Sequence, residues 1–280
     1  MEPRQSLLII GAGYTGRATA GLARAAGWHV RLTTRGSPGE DEVAFSDHAP
    51  IATATHMLVT APPGEAGDPA WAIHAEALRA APLEWVGYLS TTGVYGNRDG
   101  GWVDEATEPA PQQPRSQRRL AAERQWQSLP CAVDVFRVGG IYGPGRSALD
   151  EARAGTARRV LKPGHSFSRI HRDDIARACL AAATRPDGHR ILHLVDDEPA
   201  PAADVAAEAA RLLGQPPPLE IAFETAAARM SEMALSFWSE NRRVANGRTK
   251  AALGLEWLYP TFREGLRAIL AEERAQHPPQ

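Results

Sequence analysis

Cysteine and long apolar runs are scarce in this chain of 280 residues, and each scarcity excludes a class of protein. The two cysteines, Cys131 and Cys179, lie in no CxxC or other metal-ligand spacing, which argues against a disulfide framework and a metal site. No apolar run reaches the length of a membrane span or of a signal-peptide core. The formal net charge of -2 gives no attraction to nucleic acid or to an anionic membrane. We therefore expect a cytoplasmic protein with no metal, no nucleic-acid partner and no membrane contact.

Apolar runs of strand length alternate with segments of helical periodicity up to about residue 196. Strands are predicted over 7–10, 28–34, 57–60, 85–90, 132–138 and 191–195. Helices are predicted over 17–26, 68–80 and 116–129, and from a cap at Asp173 or Asp174 to about 184. Strands separated by helices pair in parallel through right-handed crossovers. The pattern indicates an α/β fold with a doubly wound parallel sheet of the Rossmann type.

The chain after residue 197 is mostly helical, with helices predicted over 203–213, 225–240 and 260–274. We predict a dinucleotide-binding domain over 1–145 and 169–196. A small, mostly helical substrate-binding cap would take 146–168 and 197–280.

A glycine-rich turn follows the first predicted strand. Gly11, Gly13 and Gly16 form a G-x-G-x-x-G that directly follows a strand and opens a helix, as a dinucleotide site requires. Gly11 allows the tight turn, Gly13 lets the backbone approach the pyrophosphate, and Gly16 lets helix and strand pack closely. We expect Tyr14 and Thr15 within this turn to contact the cofactor, together with the segment after the third strand, Ala61 and Pro62.

The end of the second strand indicates which cofactor binds. A carboxylate about 20 residues past the turn would bond the 2′-hydroxyl of NAD. This chain instead has Thr34 and Arg35, and no acid occurs before Glu40. Arg35 can pair with a 2′-phosphate and Thr34 can donate to it, so NADP is preferred and NAD stays possible. The alternative is that Arg35 is a solvated surface charge.

Four segments resemble one known family in the same order along the chain. They are Ser90–Gly96 (STTGVYG), Arg137–Gly145 (RVGGIYGPG), Ser168–Ile175 (SRIHRDDI) and Tyr259–Leu266 (YPTFREGL). The chain resembles an atypical member of the extended short-chain dehydrogenase/reductase superfamily, of the NAD-dependent epimerase/dehydratase type. The resemblance implies that Thr91 is the hydroxyl that bonds the substrate oxygen.

The family's catalytic Tyr-x-x-x-Lys is missing. Lysine occurs only at 162 and 250, and neither has tyrosine four residues before it. The resemblance places Arg115 at the tyrosine and Arg119 at the lysine. Arginine stays protonated and cannot replace the tyrosine as acid and base. Arg119 could still bond the nicotinamide ribose and Arg115 an anionic ligand, although a solvated basic face is the alternative.

The remaining polar candidates lie near predicted strand ends. Tyr95 and Tyr142 are possible substitute proton carriers, and His171 and Arg243 are possible substrate-binding residues, with Arg242 as an alternative to Arg243. A structural role is the competing interpretation of each.

Two functions remain open. The first is an NADP-dependent oxidoreductase or epimerase-like enzyme acting on a small anionic substrate. The second is a non-catalytic NADP(H)-binding sensor or scaffold. A homodimer is possible, because the helices at 68–80 and 116–129 occupy positions that pair in family dimers.

Overall fold

Thirteen strands and ten helices make up the part of the chain that the computed structural model describes, residues 5–276. The strands are β1 Ser6–Ile10, β2 His29–Thr34, β3 Glu42–Ala44, β4 His56–Val59, β5 Trp85–Thr91, β6 Trp102–Val103, β7 Ala132–Val138, β8 Gly140–Tyr142, β9 Arg159–Leu161, β10 Arg169–His171, β11 His189–Leu194, β12 Glu220–Ala222 and β13 Arg243–Val244. The helices are α1 Tyr14–Ala25, α2 Pro69–Ala80, α3 Pro114–Trp126, α4 Ala148–Arg153, α5 Arg172–Ala183, α6 Ala202–Leu212, α7 Phe223–Ala227, α8 Glu232–Trp238, α9 Gly247–Leu253 and α10 Phe262–Gln276.

Seven strands form one parallel sheet in the order β11-β7-β5-β4-β1-β2-β3. The chain builds outward from β1 to β3, returns to β4 on the other side of β1, and then builds outward to β11. The strand order therefore reverses between β1 and β4, and ligands bind at such a reversal in doubly wound sheets. The predicted fold class is confirmed.

Both faces of the sheet are covered, which explains the unbroken apolar run of β1. Leu7 and Ile9 belong to the apolar cluster that includes buried residues of α1 and α5. Leu8 and Ile10 belong to the cluster on the other face, with residues of α2 and α3. No helix of residues 5–276 is long and apolar enough to cross a bilayer.

Three predicted boundaries were wrong, each for a local reason. Helix α1 already begins at Tyr14, because the glycine-rich turn leads directly into it. Helix α5 is capped by His171, whose ring accepts from the Asp173 N–H, and not by Asp173 or Asp174. The single helix predicted over 225–240 is two short helices, since Ser231 caps a new helix by accepting from Ala234.

Several short strands that the sequence pattern did not predict pair two by two. These are β8 with β10, β9 with β12, and β6 with β13. A third apolar cluster contains Leu149 and Ala152 of α4 together with Phe262, Leu266 and Ile269 of α10. The cluster joins segments more than a hundred residues apart, and the division into two domains stays a prediction.

Candidate functional site

The glycine-rich turn is shaped by crowding at two glycines and open space at the third. Gly11 has φ +114°, and a Cβ there would lie 2.6 Å from Thr60 Oγ1. A Cβ on Gly16 would collide with the Gly11 carbonyl oxygen, whereas one on Gly13 would meet nothing within 4 Å. Helix α1 starts at once, and no side chain caps its Gly13 end within the described residues. Its first N–H groups are thus left for a ligand, and anions bind at such helix ends.

The other predicted cofactor residues lie around this turn. The Tyr14 hydroxyl donates to the Pro144 carbonyl at 3.0 Å, and Thr15 is buried in the first turn of α1. Ala61 and Pro62 follow β4, beside the turn, where the Thr60 hydroxyl donates to the Gly11 carbonyl at 3.0 Å. The segment after β4 therefore packs against Gly11, the first glycine of the turn.

The end of β2 presents a free cation. Thr34 accepts from the Gly36 N–H, and exposed Arg35 forms no side-chain hydrogen bond or ion pair with residues 5–276. One carboxylate nearby was not anticipated. Glu42 of β3 pairs with Arg17 at 2.6 Å, and the Gly39 N–H and Arg17 lower the pKa of its carboxyl. The Glu42 carboxylate is thus already paired with Arg17 and bonded by the Gly39 N–H.

A cavity of about 290 Å³ lies at the carboxyl ends of β5 and β7. Thr91, the last residue of β5, lines it, and its Oγ1 accepts from the Gly93 N–H at 3.1 Å. The hydroxyl hydrogen of Thr91 is not used in that bond and can be donated to a ligand. The structure thus places the predicted substrate-bonding hydroxyl in a cavity.

Arg115 and Arg119 lie on successive turns of one face of α3, and only Arg115 lines this cavity. Arg115 lines it, donates to Ser236 Oγ at 2.7 Å and stacks over the Phe237 ring at 4.0 Å. Arg119 donates to the Leu89 carbonyl at 2.8 Å. Arg115 therefore links α3 to α8, and Arg119 links α3 to β5.

Neither predicted tyrosine lines this cavity. The buried Tyr95 hydroxyl accepts from Arg137 at 2.8 Å. It donates to His193 Nε2 at 2.5 Å, because the other ring nitrogen, Nδ1, donates to the Ala245 carbonyl. Burial raises the pKa of Tyr95 to about 12. Burial also raises the pKa of Tyr142, which lines a separate cavity. Phenols with a raised pKa cannot act as bases at neutral pH. Because neither residue lines the cavity, we also propose no proton donation by either.

Two predicted substrate-binding residues also lie outside the cavity. His171 is buried against Tyr259, with ring centroids 4.1 Å apart, and burial lowers its pKa. Arg243 is exposed, whereas its neighbour Arg242 lines the cavity. The substrate-binding role of Arg243 stays a prediction, and Arg242, its alternative, is the one of the two that lines the cavity.

One part of the cavity lining, here called the cavity wall, was not predicted: Ser166, Ser168, Arg169 and Glu240. Ser168 and Arg169 open the segment Ser168–Ile175 that resembles the family, but no motif links them to Ser166 and Glu240. Those two come from the β9–β10 connection and from the turn before β13.

A buried ion pair behind the cavity was also missed. Glu123 of α3 and Arg137 of β7 meet at 2.8 Å with almost no exposure, and the Ser90 hydroxyl donates to Glu123. The sequence did indicate such a pair. Arg137 lies inside a strand predicted to be buried, and a buried charge requires a partner.

No family model matches the sequence. A solved structure of a functionally unknown conserved protein from Silicibacter pomeroyi DSS is 41% identical, with a TM-score of 0.87 over 96% of this chain and 99% of that one. The 3-diazoavenalumate denitrifying reductase of Streptomyces sp is 36% identical over 152 residues, or 51% of this chain. The match spans about half the length of that curated relative, 49%. The human epimerase family protein SDR39U1, solved with NADPH, has a TM-score of 0.79 at 19% identity, covering 95% of this chain and 99% of that one.

Proposed function

We propose that this chain is an NADP(H)-dependent reductase of the extended short-chain dehydrogenase/reductase superfamily and that it acts on a small anionic substrate. The observation that carries the proposal is the cavity that Thr91 lines together with Arg115, Arg169 and Arg242. The similarity to a Streptomyces reductase over half of the chain supports it.

The residues of the turn fit a dinucleotide. The open space at Gly13 admits a pyrophosphate next to the uncapped start of α1. The dinucleotide, when bound, supplies the hydride that reduces the substrate. Arg119, fixed on the Leu89 carbonyl, is the cation that stands where the family has lysine, and it is suited to hold the ribose.

The preference for NADP(H) over NAD(H) rests on Arg35. A hydrogen bond to a charged group is worth about 1.5–3 kcal/mol, so Arg35→Ala should weaken NADPH binding about tenfold and leave NADH binding unchanged. Isothermal titration calorimetry measures both affinities. Arg31→Ala is the matched control, since Arg31 is also exposed on β2 but lies further from the strand end. Equal losses for both cofactors, or tighter NADH binding by the unmodified protein, would reject the preference.

Thr91 is the residue that we expect to bond the substrate oxygen. Its hydroxyl donates to the oxygen on the carbon that accepts hydride, and Arg115 holds the anionic group. Since no tyrosine reaches the cavity, the proton that completes the reduction comes from water. Thr91→Val should lower kcat/KM about a hundredfold, and Thr91→Ser should retain most of it. NADPH oxidation over a panel of carbonyl acids measures this, and unchanged turnover by Thr91→Val would exclude the role.

A second candidate is a sensor that binds NADP(H) without turnover. It is favoured by one observation, the arginines at 115 and 119 where the family has its acid–base pair. It predicts tight NADPH binding with no hydride transfer to any member of the panel. Turnover at enzymatic rates would exclude it.

A homodimer through α2 and α3 also stays a proposal. The α2 surface exposes 43% of Ile73, beside half-buried Trp71. Light scattering after size exclusion should give twice the mass of the chain, and a monomer would contradict the proposal.

A further inference from the structure

Four residues that line the cavity carry polar atoms that have no partner in the described part of the chain. They are Ser166 Oγ, Ser168 Oγ, Glu240 Oε1 and Arg242 Nε. Ser166, Ser168 and Glu240 are each more than 90% buried. A buried polar group without a hydrogen bond costs stability, and four around one cavity indicate that a polar ligand completes them.

Glu240 differs in charge from the rest of this wall. Its Oε2 accepts from Arg242 Nη1 at 2.8 Å, and its Oε1 is buried without a partner among residues 5–276, on a residue that lines the cavity. An ionised carboxylate can only accept hydrogen bonds. Glu240 therefore attracts a hydrogen-bond donor of the ligand and repels a second anionic group on it, although the arginines make the cavity as a whole cationic.

Glu240 and Arg242 are held in place by Asn241, the residue between them. The Asn241 side chain accepts from the Ser166 N–H and donates to the Gly164 carbonyl. Its backbone N–H donates to Asn97 Oδ1 at 2.8 Å. A fixed acceptor discriminates between ligands better than a mobile one, because little ordering is required on binding.

We infer that Glu240 is a specificity-determining residue and that the substrate carries a hydroxyl or amino group in addition to its anionic group. The inference rests on the proposed function, in which Arg115 takes the anion. The donor group of the substrate bonds Glu240 Oε1, and Ser166 and Ser168 supply further hydrogen bonds to it. Substrates with two anionic ends are rejected at the same position.

The test uses three acids with the same carbon chain: pentanoate, 5-hydroxypentanoate and glutarate. Their affinities for the NADP-saturated protein are measured by titration with NMR detection, so that hydride transfer is not needed. We expect 5-hydroxypentanoate to bind about tenfold more tightly than pentanoate, and glutarate to bind more weakly than the hydroxy acid.

Glu240→Gln should change this ranking. Glutarate should gain about fivefold and the hydroxy acid should lose about fivefold, because the charge is removed while the shape is kept. Glu224→Gln, an exposed change on α7, is the matched control and should leave the ranking intact. Ser166→Ala, which keeps Glu240, should weaken only the hydroxy acid, and it serves if Glu240→Gln does not fold.

Failure of this inference is distinct from failure of the proposed function. Arg115→Ala should weaken all three acids, whatever Glu240 does. Equal affinities for pentanoate and 5-hydroxypentanoate, or an unchanged ranking in folded Glu240→Gln, would overturn the inference even if NADPH oxidation is observed. Binding of none of the three acids would overturn it as well. Absence of hydride transfer would overturn the reductase alone.

Discussion

The glycine-rich turn and the cavity wall lie at the same edge of the sheet, but they are built in different ways. The turn is one run of six residues, shaped by contacts between backbone atoms and Thr60. The cavity joins Thr91, Arg115, Ser166, Glu240 and Arg242, which come from separate parts of the chain. A site for a common cofactor can be a local motif, whereas a site for a particular substrate depends on the whole fold.

The largest effect should come from breaking the buried ion pair behind the cavity. Arg137→Ala leaves the carboxylate of Glu123 buried without its cation, which costs about 3–5 kcal/mol. Urea denaturation should show that fall in the free energy of unfolding. The double variant Glu123→Leu with Arg137→Leu is the control and should recover part of the loss, since no charge is then buried. A loss below about 1 kcal/mol for Arg137→Ala would mean that water reaches the carboxylate.

A smaller effect is expected at the turn. A methyl group on Gly16 meets the Gly11 carbonyl oxygen, so Gly16→Ala should lower the free energy of unfolding by about 1–3 kcal/mol. Gly21→Ala in the same helix is the matched control, because Gly21 is exposed and has open space for a methyl group. It should stabilise the protein by about 0.5–1 kcal/mol. Similar results for the two variants would show that crowding does not shape the turn.

The smallest effect concerns pH and the edge of the cavity wall. Burial, with the nearby Lys162 cation, lowers the pKa of His165 to about 4. An unfolded histidine has a pKa near ~6.5, so protonation favours the unfolded chain. The stability is complete above that value and is lost as the pH falls toward 4. His165→Phe removes this titration and suits the neighbouring Phe167 and Trp238 rings.

The comparison is made by urea denaturation at pH 7.5 and at pH 5. The original protein should lose on the order of 1 kcal/mol more than His165→Phe between these values. Equal losses would show that His165 is already accessible to water in the folded state.

Features that depend on neighbours in the sequence could be predicted. The bounds predicted for the strand at 132–138 are those of β7. Asp68 caps α2 by accepting from the Ala70 and Trp71 N–H groups, as its position before Pro69 indicates. The turn at Gly11–Gly16 was found for the same reason. Each of these is decided by side chains and backbone within a few residues.

Features that depend on distant contacts could not be predicted. Glu240 has no significance until Asn241 is bonded to the 97–100 turn and to Ser166. The sequence does not show which of Arg242 and Arg243 lines the cavity, because the adjacent strand β13 has only two residues. Tyr95 was a reasonable proton carrier until Arg137, more than forty residues away, was found to occupy its hydroxyl.

The cluster between α4 and α10 has a consequence for synthesis on the ribosome. Leu149 and Ala152 emerge from the ribosome more than a hundred residues before their partners Phe262, Leu266 and Ile269. The first half of this core thus stays exposed to water until those partners have been made. Exposed apolar surface of this kind makes a nascent chain prone to aggregation, and this cluster is a region where chaperones have reason to bind.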